Sequence, residues 1–271
     1  MNTRTLKGKN VLIAGGGKNL GGLIARQSAQ AGANVAIHFN SDSSKDDAQA
    51  TLRAVEAEGV NGAIFQGDLT DPGNIARLFT DAEQALGQID VAVNTTGKVL
   101  RKPIVETTEA EYDSMFDINA KAAYFFIKEA GKHLADDGKI ITIVTALLGA
   151  FTDGYSTYAG GKSPVEHFTR AAAKEYVDRG ISVTAIAPGP MDTPFFYGQE
   201  TPERVEFHKS QAMGNQLTQI EDIAPIVNFL ATDGWWITGK RSSPTVDIPP
   251  DKTHRHTTPV HGPATRQGHA H

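Results

Sequence analysis

Asn10-Val-Leu-Ile-Ala14, then Gly15-Gly-Gly-Lys-Asn-Leu-Gly-Gly22, then the helical pattern from Leu23 to Ala31: this stretch decides how the chain folds. The first five residues are an apolar run of the kind that fills a strand buried on both faces. A glycine-rich turn between a strand and a helix brings backbone amides and a helix N-terminus together, and that pairing receives a pyrophosphate. The plainer alternative is a flexible strand-to-helix turn. Three consecutive glycines, with Gly21 just inside the helix, favour the phosphate loop. Gly15, Gly17, Lys18, Asn19, Leu20 and Gly21 are therefore candidate cofactor contacts.

Asn34–Phe39 reads as the second strand, and its end bears on which dinucleotide fits. Units that bind NAD place a carboxylate there for the ribose 2′-hydroxyl. This chain places His38-Phe-Asn40-Ser41-Asp42-Ser43-Ser44, with no carboxylate at the tip itself. Lys18, Asn40, Ser41 and Ser44 suit a 2′-phosphate, so NADP(H) is expected over NAD(H), with Asp42 as the contrary sign. His38 reads as strand filler. Further strands are expected at Gly62–Gly67, Ile89–Asn94, Ile140–Thr145 and Ile181–Ala187. Asp68 and Leu69 follow the third strand, where Asp68 can meet an adenine amino group, and Thr95-Thr96-Gly97 leaves the fourth. Asp71 is an N-cap with Pro72 at the first helical position. A helix preceded by Thr107 and Thr108 is expected, with a capping box from Thr108 to Glu111, and a next helix from about Asn119 to Leu134. Strands alternating with helices predict one α/β domain over residues 1–239. Its parallel sheet has six to seven strands and helices on both faces.

Tyr158 and Lys162 stand four residues apart at the head of a helical pattern reaching about Val177, so both leave one helix face. An ammonium beside a phenol favours the phenolate and is expected to lower its pKa. Composition narrows the remaining classes. The chain of 271 residues has net charge −5 and no basic patch, so nucleic acid is not expected. It has no cysteine, hence neither disulfide nor thiolate chemistry. No run approaches the ~20 apolar residues of a membrane span, and no secretory pattern opens the chain; a cytoplasmic location is expected.

Taken together, Gly15–Gly21, Asp68, Asn94–Gly97, Asn119, Tyr158/Lys162 and Pro188-Gly189 resemble the short-chain dehydrogenase/reductase family over about residues 6–239. The resemblance implies a doubly wound Rossmann domain and reversible reduction of a ketone to a secondary alcohol by NAD(P)H. It gives Tyr158 the role of proton donor and places Lys162 on the nicotinamide ribose. Asn119 would hold a relay water. Pro188, Gly189, Met191 and Thr193 would line the nicotinamide, and Asn94, Thr95, Thr96 and Gly97 the adenosine side. It also implies a homotetramer or dimer. Enoyl-thioester reductases are a weaker match, because those relatives space tyrosine and lysine more widely.

The chain departs from the family pattern in two places. Ala14 replaces a threonine and Asn19 replaces the middle glycine of the loop; asparagine accepts positive φ better than most residues. The serine that usually precedes the tyrosine by about 12–14 residues is missing from Val144-Thr145-Ala146-Leu147-Leu148-Gly149. Counting from Gly149 assigns its place to Ala146, with Thr145 beside it. The reading allows a weak enzyme or a catalytically silent NADP(H)-binding regulator. On the substrate side, Leu147, Tyr155, Phe195 and Phe196 suggest a pocket for an apolar or aromatic ketone. It lies under a lid spanning about residues 191–214. His208 is expected at the surface.

After Gly239 the pattern breaks. Lys240-Arg-Ser-Ser-Pro244 and a histidine-rich tail stand where an apolar strand and a Gly-Gly turn are expected, and proline and charge oppose a central strand. Residues 240–271 are therefore expected to be aberrant and disordered or loosely attached. Lys240–Asp251 can be encoded so that restoring one base reads Gln-Thr-Ile-Phe-Ala-Asn-Gly-Gly-Tyr-Thr-Thr-Arg-stop, an ending that suits the family. Loss of one base near codon 240 is the expectation, and sequencing the gene tests it. A metal site in the tail is not expected, since nothing there fixes ligand geometry.

Overall fold

The computed structural model describes residues 4–150 and 152–244. Its strands are β1 (Asn10–Ala14), β2 (Asn34–Phe39), β3 (Gly62–Gln66), β4 (Ile89–Asn94), β5 (Leu134–Ile143), β6 (Ser182–Ile186) and β7 (Lys240–Ser242). They form one sheet in the order β3-β2-β1-β4-β5-β6-β7, parallel throughout. The order reverses between β1 and β4. Chains leaving neighbouring strands there turn to opposite faces and open a crevice at the strands' C-terminal ends.

The helices are α1 (Asn19–Gln30), α2 (Lys45–Glu56), α3 (Pro72–Leu86), α4 (Glu109–Phe116), α5 (Ala122–His133), α6 (Ser156–Glu175), α7 (Pro194–Tyr197), α8 (Pro202–Gln211) and α9 (Ile220–Ala231). The pleat divides β1 between two cores. Val11 and Ile13 pack with Ile24 of α1 and Val227 of α9 on one face. Leu12 and Ala14 pack with Phe79 of α3 and Phe126 of α5 on the other. Both faces being covered is why these strands are continuous apolar runs instead of alternating ones.

The structure corrects three expectations. The helix expected after Thr108 forms at Glu109–Phe116 with its Thr108/Glu111 capping box, but it does not stop before the one read from Asn119. It then passes through a π-helical turn at Asp117–Lys121 into α5. The fifth strand starts at Leu134 rather than at Ile140. Its register shifts between Ile89 and Val91 of β4, an irregularity invisible to apolar periodicity. Finally, Lys240–Ser242 does form a strand despite its charge, pairing with Thr184–Ile186. It is tolerated because it is short and, among the described residues, has a neighbour on one side only. The fit is imperfect, since Arg241 Nη1 is buried without a partner among the described residues. The expectations for residues beyond Pro244, including their histidines, lie outside the described residues.

β5 also buries a lysine. Lys139 Nζ donates to Ser182 Oγ at 2.7 Å, Thr184 Oγ1 at 2.6 Å and the Ile237 carbonyl at 2.9 Å. Burial pushes its pKa down from 10.5 to about 7. Between pH 7 and the ordinary lysine value the unfolded chain holds a proton that the folded chain releases, so stability rises with pH across that window and is flat below it. Urea midpoints of wild type and Lys139→Met at pH 6.5, 7.5 and 9 check this. The wild-type minus variant difference should grow with pH, and a constant difference refutes it.

Candidate active site

The groove at the β1/β4 reversal begins with the glycine turn. Asn19 takes φ 47°, the left-handed conformation that asparagine accepts in place of glycine. Gly21 cannot carry a side chain, because a Cβ there would lie 2.2 Å from the Gly15 carbonyl oxygen. The Lys18 side chain does not cap α1, so the first amides of the helix carry no side-chain cap. His38 is more than filler. The Gly15 amide donates to its Nδ1 at 3.2 Å, which makes Nδ1 an acceptor and leaves Nε2–H to donate to the Gly67 carbonyl at 2.8 Å. Burial lowers its pKa and so favours the neutral ring that this tautomer requires. One imidazole thus joins the glycine turn to the end of β3.

Gly15, Gly17, Lys18, Asn40, Ser44, Asp68, Leu69, Thr95, Thr96 and Gly97 line this groove. Lys18 Nζ sits 2.9 Å from Asp47, an exposed pair that leaves it near the groove. Three predicted contacts are placed differently. Ser41 is off the groove wall and its hydroxyl pairs with Ser43. Leu20 is buried in the core. The Asn94 side chain turns back to accept from the Thr96 amide at 2.9 Å and from its hydroxyl at 2.6 Å, shaping the loop. Asp68 likewise holds the Thr70 amide and hydroxyl, both at 2.9 Å.

Tyr158 and Lys162 leave the first turns of α6 and are both buried. Lys162 Nζ donates to the Thr96 carbonyl at 3.0 Å and the Ile143 carbonyl at 3.1 Å, which ties α6 to the ends of β4 and β5. Gly97 makes room for it, since a Cβ there would lie 2.8 Å from Asn119 Oδ1 and 3.0 Å from Lys162 Nζ. Asn119 is fully buried in the π-helical turn, a distortion that often marks functional positions. Its amide donates to the Lys98 carbonyl at 2.8 Å and accepts from the Lys98 amide at 3.2 Å.

The expected acid phenol is not what the fold builds. Burial pushes the Tyr158 pKa up to about 12, opposed by a hydrogen bond from the Thr145 hydroxyl. Lys162, itself lowered to about 8 by burial, commits its ammonium to two carbonyls. Thr145 and Ala146, the two candidates for the serine's place, both line the cleft beside Tyr158. The backbone stays extended at Thr145 (φ −150°, ψ 145°) and turns at Ala146, and of the two side chains it is the threonine hydroxyl that favours the phenolate. Thr145 Oγ1 accepts from the Leu147 amide at 3.3 Å, which leaves its own hydrogen to donate.

Next to the groove opens a cleft of ≈ 760 Å³ including its mouth, and Phe195 borders both. Thr145, Ala146, Leu147, Tyr155, Tyr158, Pro188, Gly189, Met191, Thr193 and Phe196 line the cleft together with His208. His208, expected at the surface, is 7 % exposed and lies on the inner side of α8. Its periodicity signal was lost in a short helix with charge on most faces. Behind it is Glu200, whose carboxylate is fully buried. It accepts from the Tyr155 hydroxyl and lies 3.4 Å from His208 Nε2 and 3.2 Å from Arg204 Nε. Glu200 was missed by sequence reasoning because only the closed lid gives it partners.

A family model described as Enoyl-(Acyl carrier protein) reductase matches residues 15–243. A crystal structure of a dehydrogenase from Burkholderia cenocepacia with bound NADP is 56% identical, with TM-score 0.89, covering 92% of this chain and 96% of that one. A short-chain type dehydrogenase/reductase of Picea abies is 31% identical over 86% of this chain and 89% of its own length. Hydroxynaphthalene reductase arp2 of Aspergillus fumigatus is 32% identical over 88% and 92%. With the sheet order, the glycine turn and the Tyr158/Lys162 pair, these matches show that the chain belongs to the short-chain dehydrogenase/reductase family.

Proposed function

We propose that the chain is an NADP(H)-dependent reductase that converts a ketone to a secondary alcohol, reversibly, with Tyr158 as proton donor. One observation carries the reading: the Tyr158 phenol and the Thr145 hydroxyl meet in an apolar cleft that shares Phe195 with the dinucleotide groove. The groove fits the cofactor by shape and chemistry. Gly15 and Gly21 are packed too closely for side chains, and Lys18, Asn40 and Ser44 stand where a 2′-phosphate would be recognised, without a carboxylate at the tip of β2. NADP in the 56% identical relative supports the same choice. Lys18, Asn40 and Ser44 would hold the phosphate, and Thr95–Gly97 the adenosine side. When bound, the nicotinamide supplies the hydride.

The residues of this chain do the rest. Tyr158 gives its proton to the carbonyl oxygen, and Thr145 donates a hydrogen bond to that oxygen as charge develops on it. Lys162 holds positive charge beneath the site and anchors α6. Asn119, bound by the Lys98 backbone on both sides, sits in the helix distortion near Lys162, which supports the relay role. Self-association is part of this reading, supported by exposed Ile104, Tyr112 and Tyr124. The regulator alternative leaned on a missing serine, and Thr145 beside the phenol speaks against it.

Cofactor oxidation with a panel of aryl and alkyl ketones tests the proposal. NADPH should exceed NADH by at least about tenfold in kcat/KM, since one recognised phosphate is worth more than ~1.4 kcal/mol. Equal use of the two refutes the cofactor assignment. Tight NADPH binding without turnover of any ketone refutes the enzyme.

A further inference from the structure

The Glu200 side chain is wholly out of water, although it stands in the loop between α7 and α8. Oε1 accepts from the Tyr155 hydroxyl. Burial, together with the Glu200 charge, pushes the pKa of that phenol up, so it stays protonated and donates. Oε2 has only charge around it: Arg204 Nε at 3.2 Å and Arg101 Nε at 3.9 Å, neither with hydrogen-bond geometry. Beyond them Asp153 accepts from Arg101 at 3.0 Å and from Arg204 at 2.7 Å. His208, whose pKa burial lowers, adds no charge. Two arginines and two carboxylates therefore balance. Attraction between charges fixes no direction, whereas a hydrogen bond does. The Tyr155 phenol is thus what sets where the carboxylate sits.

These partners come from different parts of the fold. Arg101 follows β4, Asp153 and Tyr155 lead into α6, and Glu200 and Arg204 belong to the lid. Gln199 adds a second tie, its side-chain oxygen accepting from the Arg101 amide at 2.9 Å. Tyr155 stands three residues ahead of Tyr158, with ring centroids 6.2 Å apart. Phe195, earlier in the same lid, packs on Tyr158 from 6.2 Å, and Phe196 lines the cleft. We infer that Glu200 is a positioning residue: it fastens the lid to the head of α6 through Tyr155, so that Phe195 and Phe196 close the cleft over Tyr158 and a bound ketone. Glu200 itself lines neither the cleft nor the groove. The inference rests on the reductase reading only for what the cleft receives.

Two variants test it, each by hydrogen exchange of the α8 amides and by steady-state kinetics, with NADPH present. Glu200→Gln keeps an oxygen for the Tyr155 hydroxyl but removes the charge, leaving two half-buried arginines with one exposed carboxylate. Exchange in α8 should quicken by about a hundredfold, as breaking a buried charge cluster is costly, while β1 and α3 exchange as in wild type. Tyr155→Phe removes the directed bond alone and should quicken α8 by about tenfold. Apparent affinity falls with the fraction of molecules that are closed, and the closed form itself is unaltered. KM of Glu200→Gln for a ketone that wild type reduces should therefore rise about tenfold, with kcat within about threefold. A larger fall in kcat, as general damage to α6 would give, overturns the inference. So does α8 exchange within about threefold of wild type in either variant, or faster exchange with KM unchanged. Should Glu200→Gln not fold, Tyr155→Phe decides by the same two measurements. Should wild type reduce no ketone, the reductase reading falls and α8 exchange alone decides: faster exchange upholds the fastening, unchanged exchange overturns it.

Discussion

Tyr158→Phe should abolish ketone reduction while NADPH still binds. The substitution removes one oxygen and keeps the ring, which packs at 6.2 Å centroid distance from both Tyr155 and Phe195. The fold therefore persists, and the glycine turn, anchored by His38, is untouched. What is lost is the proton. A positioned general acid contributes ~10²–10⁴ in rate, and the Thr145 hydroxyl is too weak an acid to replace the phenol. Because burial holds the phenol near 12, it is protonated throughout the neutral range, the state that reduction needs. The ionisation that falls within reach is that of Lys162, lowered to about 8. Reduction should therefore be flat on the acid side of pH 8 and decline above it, as the charge beneath the site is lost. Single-turnover oxidation of NADPH at 340 nm against pH, with cofactor binding measured in parallel, reads both effects. Turnover by Tyr158→Phe within tenfold of wild type would remove Tyr158 from the chemistry.

The second large effect belongs to the residue where the family's serine is absent. Thr145→Val is nearly isosteric, and the side chain is 6 % exposed, so packing is conserved. It deletes the hydroxyl that shares the cleft with the phenol and would polarise the carbonyl. Loss of one such donor costs about 10²–10³ in kcat. Thr145→Ser should stay within a few-fold of wild type, as the same oxygen can accept from the Leu147 amide. Ala146→Ser placed in the Thr145→Val background should not recover activity, since it is the Thr145 hydroxyl, not residue 146, that bears on the phenol. Recovery there would show that the phenol's partner is residue 146. Steady-state kcat on one ketone across the four proteins decides it.

Both predictions concern residues whose types were visible in the chain and whose relations were not. Asn10–Ala14, the glycine turn and Leu23–Ala31 sit close together in sequence, and a local pattern is enough to specify a strand, a turn and a helix. The same holds for Tyr158 and Lys162, one helical turn apart, and for the Thr108/Glu111 cap. By itself the sequence therefore determined a parallel α/β domain with a phosphate loop and a paired phenol and ammonium. It did not determine that the phenol would be made more basic than usual. That balance depends on how completely Leu147, Tyr155 and the lid wrap it, and desolvation is a property of the packed molecule. Nor could it choose between Thr145 and Ala146, because which of two neighbouring side chains bears on the phenol depends on where an extended segment turns. His208 and Glu200 came from the tertiary structure alone. Their partners Arg101, Asp153 and Tyr155 lie far away in the chain, and only closure of α8 over the cleft makes a buried carboxylate and an imidazole into one unit. Local spacing carries information about neighbours along the backbone; burial and charge pairing are decided by what long-range packing excludes from water.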